Sequence, residues 1–345
     1  MNIPTLKIKD SKTLIILGAG ATRGADCFNG STIPAPLDND FFHICQRVAA
    51  FDPSLNELLK FVRREFSSTL NVRMEKFFSN IESLDEFYHA TKIKAGPQVK
   101  RYQKVLSNFP NYIATIFQYL QSLTWDKKLS CIYHEIIVQS LSSDDIIISF
   151  NYDCIMDEAL KKAGKKKWNP GKGYGTPITA GTEFWKDHSG NGRISSTGIR
   201  LLKVHGSLNW ERKGSLISLR EDPYAKLVRN RKELIAPVWN KRISEDDLIL
   251  QLWKQSRLAI KECQSIILIG YSVPETDLFS QSLLKVSASE RKKPLSNLIV
   301  VNPDNAASQR SNTLLGSNSI SENTNFYSFN SLKDLADCIH PVLRV

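Results

Sequence analysis

Four short runs of this chain, 13–17, 145–150, 265–269 and 297–301, are nearly continuous in Ile, Leu, Val or Phe, and a fifth, 198–204, is rich in Leu. Strands with one wet face alternate apolar and polar residues. Unbroken runs of this length belong to strands buried on both faces, as in a parallel sheet between two layers of helices. Each run closes on small or polar residues: Gly18-Ala-Gly20, Asn151-Tyr-Asp153, His205-Gly206, Gly270-Tyr-Ser272 and Asn302-Pro-Asp304. Open α/β sheets bind ligands in the crevice beyond the carboxyl ends of their strands. The pattern predicts an α/β fold with one ligand site assembled from these strand ends.

Between the first and second runs, apolar residues recur at helical spacing. Phe77, Phe78, Ile81, Leu84, Phe87 and Tyr88 form one such series, and Tyr112, Ile113, Ile116, Phe117, Tyr119 and Leu120 another. The stretch is too long for one crossover helix, so a helical insertion or lid is expected over 51–141, with 1–50 and 142–345 forming the sheet domain. Segments 171–198 and 211–241 are rich in Gly, Ser and charge and read as loops or a small second lobe. Ser244-Glu-Asp-Asp247 reads as a capping box opening a helix whose Ile249, Leu252, Trp253, Ile260 and Cys263 face inward. A short terminal helix is expected over 332–343.

Composition narrows the class. The 345 residues are 41% hydrophobic and 23% charged, the balance of a chain with a buried core, not of a disordered one. No apolar stretch approaches the roughly 18–20 residues that cross a bilayer. Residues 1–12 lack the apolar run and small-residue cleavage site of a signal peptide, so a cytoplasmic protein is expected. The six cysteines form no C-x-x-C pair, which argues against a four-cysteine zinc site and for buried free thiols.

The net charge of +11 is concentrated in Lys161–Lys167 and 226–242. Each could contact phosphate, nucleic acid or an acidic partner, or be a solvated helix end. No nucleic-acid motif accompanies them, so nucleic-acid binding is the less favoured reading.

The strand ends carry the chemistry. Gly18-Ala-Gly-Ala-Thr-Arg-Gly24 is a glycine-rich turn one residue longer than the usual dinucleotide fingerprint; Thr22 and Arg23 could meet a phosphate. Asn151 and Asp153 can both face a ligand if the chain stays extended; alternatively they form an Asx turn into the next helix. Of the six histidines only His205 directly follows a strand and precedes a glycine, a setting suited to a general base. His43, His89, His134, His188 and His340 read as structural. No His-x-x-x-His or His-x-x-Cys spacing suggests a metal.

Taken in order, Gly-Ala-Gly-Ala-Thr, Phe-Asn-Tyr-Asp, Val-His-Gly-Ser, Gly-Tyr-Ser and Val-Val-Asn-Pro-Asp resemble the sirtuin superfamily. The resemblance implies a Rossmann-like parallel sheet with a helical insertion after the first strand and a small second lobe. It gives Gly18, Ala19, Gly20 and Thr22 to the phosphates of NAD. It gives Asn151 and Asp153 to the ribose and nicotinamide, His205 to the catalytic base, and Gly270, Ser272 and Asn302 to the adenosine half. The two cysteine pairs of a zinc ribbon are missing, so no zinc is expected in the second lobe.

Pro36-Leu-Asp38 followed by Phe41-Phe42, Gly173-Tyr-Gly175, Leu208-Asn-Trp210, Ala236-Pro237 before Trp239 and Lys241, and the stretch from Gly270 to Asp277 are similar to the bacterial anti-phage branch. That branch hydrolyses NAD, as substrate, to nicotinamide and ADP-ribose and so depletes the infected cell. The resemblance further implies control through homo-oligomer assembly or a separate protein such as a HerA-type ATPase, since little chain follows Asn302 to hold a sensor domain. Two other readings stand beside it: an NAD-dependent protein deacylase or ADP-ribosyltransferase, and a noncatalytic NAD or nucleotide sensor that docks a partner.

Overall fold

The computed structural model describes residues 12–91, 96–124, 128–176, 178–179, 198–213, 216–220, 222–225, 232–238, 246–274 and 277–339. Chain order begins with β1 (Thr13–Leu17) and the short α1 (Ala19–Arg23). Six helices follow: α2 (Phe41–Val48), α3 (Pro53–Glu65), α4 (Met74–Ala90), α5 (Pro97–Ser107), α6 (Phe109–Leu123) and α7 (Ile132–Ser140). Then come β2 (Ile146–Ser149), α8 (Ile155–Ala159), α9 (Pro170–Gly173), β3 (Ile178–Thr179), β4 (Arg200–Lys203), β5 (Gly206–Lys213), β6 (Leu216–Leu219) and β7 (Lys232–Leu234). The last part holds α10 (Asp247–Glu262), β8 (Ser265–Ile269), α11 (Leu278–Ser289), β9 (Asn297–Val301), α12 (Asn305–Leu315), β10 (Asn325–Phe329) and α13 (Leu332–Ile339).

Six strands form the main sheet in the order β10-β9-β8-β1-β2-β4, every neighbouring pair parallel. The runs expected as strands are β1, β2, β4, β8 and β9, and every residue of β1, β2 and β8 is buried. The sheet is a Rossmann-like α/β fold. β10 escaped sequence reading because Asn-Phe-Tyr-Ser-Phe is a half-exposed edge strand with no apolar run. From β1 the chain adds β2 and β4 on one side, then returns to add β8, β9 and β10 on the other. The switch point lies between β1 and β8, where this class of sheet opens a crevice at its carboxyl edge.

The helices α2 to α7 share one continuous apolar core with the sheet. Prolines near the first positions of α3, α5 and α6 start these helices where a backbone N–H would lack a partner anyway. A file of edge-to-face rings runs from Phe42 to Phe77 (4.9 Å), Phe78 (5.0 Å), Phe109 (4.9 Å) and Tyr152 (5.4 Å), tying α2, α4 and α6 to the residue beside Asn151. On α4 the expected apolar face is shorter than its sequence: Phe77, Phe78 and Ile81 are buried, whereas Leu84 and Phe87 are exposed.

Four further strands form a second sheet, order β3-β6-β5-β7; β3, β6 and β7 fall in the segments read as loops or a small lobe, and β5 begins ahead of them at Gly206. α10 is capped by Asp246, which accepts from Leu248 N (2.9 Å) and Ile249 N (3.2 Å). The expected capping box shifts accordingly, and Ser244 lies outside the described residues, as do Trp239, Lys241, His188 and His340.

Candidate functional site

The glycine turn after β1 is locked to the turn after β8. Gly18 N donates to Ile269 O (3.0 Å) and Gly20 N to Gly270 O (2.9 Å). Gly270 has φ +59°, and a methyl there would lie 2.0 Å from Ala21 N. The two turns therefore meet backbone to backbone at the switch point, which accounts for the glycines without any ligand. Arg23, which could meet a phosphate, donates to Ala35 O (2.5 Å) and pairs with Asp40, fastening the segment before α2.

Asn151 follows β2 by two residues. Its Nδ2 donates to Gly18 O (2.9 Å) and Thr22 Oγ1 (3.0 Å), using both amide hydrogens, so its Oδ1 is the atom left to accept. Thr22 in turn donates to Asp153 Oδ2 (2.6 Å), and Asp153 Oδ1 accepts from Ile155 N (3.0 Å). Asp153 thus makes the Asx turn into α8 while Asn151 does not. Burial raises the Asp153 pKa above the usual carboxylate value, against the lowering effects of Lys203, the Thr22 hydroxyl and the Ile155 N–H.

His205 follows β4 by two residues and is 6% exposed. Its ring lies among Phe150 (5.3 Å between centroids), Tyr152 (6.1 Å, stacked) and Trp253 (6.2 Å). Trp253 Nε1 donates to Val204 O (2.9 Å), and Ile235 N to His205 O (2.9 Å), so the backbone around the histidine is held from α10 and from the residue after β7. On the other side of the switch point, Arg310 Nε donates to Ser272 O (2.9 Å) and its Nη2 to Asp304 Oδ2 (2.8 Å). Asn302 Oδ1 accepts from Asp304 N (3.0 Å). The bond from Arg310, then that from Ala306 N, holds the Asp304 carboxyl below its usual range.

One cavity of about 790 Å³ joins these groups, within the range of about 300–1,000 Å³ common to small-molecule sites. Gly18, Ala19, Gly20, Thr22, Asn151, Asp153, His205, Gly270, Ser272 and Asn302 all line it. So do residues that sequence reading did not assign to the ligand site: Arg73 and Glu75 from the start of α4, Ile113 and Phe117 from α6, Asp277 and Arg310. Asp277 carried a usable signal, since it caps α11 by accepting from Ser280 N (3.2 Å) three residues on. Nothing local in the sequence marks Arg73, Glu75 or Arg310.

Asp38 accepts from Glu75 N (2.8 Å), pinning the Pro36–Asp38 stretch to the start of α4. Burial raises its pKa, and the Asp277 charge adds to that. Val273, next to Ser272, has φ +52°, a left-handed conformation that is rare for a β-branched residue. It sits in the cavity wall.

The remaining sequence features have quieter roles. Lys167 Nζ donates to Leu141 O (2.7 Å) and Gln139 O (3.1 Å) at the end of α7, and Lys162 reaches Glu135 (3.4 Å), so the first basic run is partly a helix cap. The second basic stretch lies largely outside the described residues. All six cysteines are free thiols, five of them buried. Among the described residues no group of three or more His, Cys, Asp or Glu could hold a metal ion, and no helix is long and apolar enough to cross a membrane.

The family model described as the SIR2-like domain matches residues 145–321, just over half of the chain. The chain belongs to the SIR2-like family. The matched span of this SIR2-like chain runs from β2 through the second sheet to α12, and holds Asn151, His205, Gly270 and Asn302. Among solved structures, a Sir2 homolog in complex with NAD is 14% identical with a TM-score of 0.41, covering 97% of this chain and 90% of that one. A triple variant of a Sir2 homologue bound to 2′-O-acetyl ADP ribose is 14% identical with a TM-score of 0.40, covering 97% and 95%. No curated protein matches in sequence.

Proposed function

We propose that this SIR2-like chain is an NAD glycohydrolase that cleaves the bond between nicotinamide and ribose, and that it serves as an NAD-depleting effector in bacterial anti-phage defence. The observation that carries the reading is the convergence of Asn151 and His205 on the cavity that also takes in the glycine turn and the ends of β8 and β9. The cavity is large enough for a dinucleotide-sized ligand, and its donors and acceptors suit one: backbone turns and Arg310 toward the phosphate and adenosine half, Asn151 and His205 toward the reacting ribose.

In the reaction, water attacks the anomeric carbon, the carbon–nitrogen bond breaks, and neutral nicotinamide leaves with the bonding pair. ADP-ribose and a proton are the other products. Positive charge develops on the ribose in the transition state, as in other glycosyl cleavages. Asn151, with both amide hydrogens engaged, has Oδ1 to accept from the attacking water or a ribose hydroxyl, so it orients without donating. His205 takes the proton. Thr22 and Asp153 fix the Asn151 amide and act through it. No zinc ribbon enters this reading. The helices of 51–141 form a subdomain that contributes part of the cavity wall, and control comes from self-assembly or a separate protein partner.

The test is nicotinamide release from NAD by the purified chain, with Asn151→Ala and His205→Ala beside it and no acyl-peptide present. Loss of a general base lowers turnover by about 10²–10⁴-fold. Release by wild type and its loss in both variants is the expected result. Turnover that depends on an acylated peptide would replace the hydrolase with a deacylase, and undiminished release by either variant would remove that residue from the mechanism.

A further inference from the structure

Lys203 is 1% exposed, an ammonium inside the protein where the neighbouring β4 positions hold Leu201 and Leu202. A buried charge is costly unless it is paired and fully hydrogen-bonded. Here Nζ donates to Asp157 Oδ2 (3.0 Å) and to the backbone oxygen of Asp153 (2.5 Å). Asp157 also accepts from Tyr174 and from Asn209 Nδ2 (3.4 Å), and Asn209 Oδ1 accepts from Ser207 Oγ (2.6 Å).

The register shows what this network spans. Ser149 of β2 pairs with Lys203 of β4, so Asn151 and His205 each lie two residues beyond the same rung. The last ladder bond is Val204 N to Ser149 O (3.2 Å), and past it the two chains separate, rejoined by Leu208 N to Tyr152 O (2.9 Å). The Lys203 ammonium crosses that gap from the histidine's strand to the asparagine's loop. From Asp153 the connection continues through Thr22 to Asn151. The same network grips the histidine's segment on its far side through Ser207 and Asn209.

We propose that Lys203, paired with Asp157, is a positioning residue that sets the spacing between Asn151 and His205. The proposal rests on the hydrolase reading above. A small misplacement of reacting groups is enough to lower turnover by about 10²-fold, so the loss of the bridge is read in kcat while NAD contacts elsewhere in the cavity keep KM.

The experiment compares wild type, Lys203→Met and the double variant Lys203→Met/Asp157→Asn. It measures kcat and KM for NAD at a temperature where circular dichroism shows all three folded, and thermal unfolding in parallel. Lys203→Met is expected to lose stability and about 10²-fold in kcat, with KM nearly unchanged. In the double variant both charges of the Lys203–Asp157 pair are gone, Asp153 keeps its bonds from Thr22 and Ile155 N, and the amide oxygen that replaces the Asp157 carboxylate still accepts from Tyr174. That variant is expected to recover stability but not kcat. A double variant that recovers both would show the pair to be structural only and overturn the proposal. Absence of nicotinamide release by wild type would overturn the hydrolase reading, and this inference with it.

Discussion

Gly20 and Gly270 touch backbone to backbone: a methyl on Gly20 would lie 2.7 Å from Gly270 Cα, and one on Gly270 would lie 2.5 Å from Gly20 Cα. The contact joins the ends of β1 and β8 at the point where the strand order reverses, and it forms one edge of the cavity. Substitution here should be far worse than at a glycine that merely turns. Gly270→Ala combines the left-handed strain, about 1–2 kcal/mol, with a clash against Ala21 N that backbone cannot relieve locally. Gly30 also has positive φ but nothing within 4 Å of a methyl, so Gly30→Ala isolates the strain alone. Urea unfolding of both variants is expected to show Gly270→Ala the more damaging by at least about 2 kcal/mol; equal losses would mean the turns can part.

The Thr22 hydroxyl receives from Asn151 and donates to Asp153. Thr22→Ser keeps both bonds and is expected to retain nicotinamide release. Thr22→Val keeps the shape, removes both bonds, and leaves a buried carboxylate oxygen short of a donor, a loss of about 1–3 kcal/mol in stability. Its turnover should fall with that of Asn151→Ala, because the amide is then free to rotate. A Thr22→Val enzyme as active as the serine variant would show that Gly18 alone orients Asn151.

Removing one partner of a buried ion pair strands the other, typically at about 3–5 kcal/mol, so Lys203→Met should show this loss in equilibrium unfolding. The pH dependence has a defined sign. Burial alone would lower the Lys203 pKa, but Asp157 first, then Cys154 and Asp153, together outweigh it and raise the value above 10.5. The stabilisation is therefore fully present below pH 10.5 and is lost as pH rises through the folded-state value. Wild type should lose stability above that point more steeply than Lys203→Met. Parallel curves would mean that the ammonium titrates alike in the folded and unfolded chains.

His134, on α7, is 2% exposed, and its Nδ1 has no hydrogen-bond partner among the described residues. Burial lowers its pKa from 6.5 to about 4. Between those values the unfolded chain binds the proton and the folded one does not, so stability falls as pH drops through this window, by about 2 kcal/mol at pH 5. His134→Leu should flatten that part of the unfolding-midpoint profile between pH 7 and 5. An unchanged profile would place the acid sensitivity elsewhere.

Much of the sheet was legible because burial on both faces forces β1, β2, β8 and β9 to be nearly all Ile, Leu and Val, a signal confined to adjacent residues. The strand-end clusters were legible for the same local reason: a glycine, Asn, Asp or His directly after such a run has few other uses. β10 and the second sheet were not, since their strands are short, half-exposed or rich in polar residues, and only pairing with a neighbour makes them strands.

The sequence by itself determined which residues stand at the strand ends and that those ends would gather at one edge of a parallel sheet. Tertiary structure decided what each does there. It set Gly18 and Gly20 against Gly270, engaged Arg23 with Asp40, and joined the Asp153 side chain to Thr22. It also brought the buried Lys203 of β4 onto Asp153 and Asp157, 50 and 46 residues earlier in the chain. Distances between segments remote in sequence depend on the packing of everything between them, and no local spacing encodes those distances.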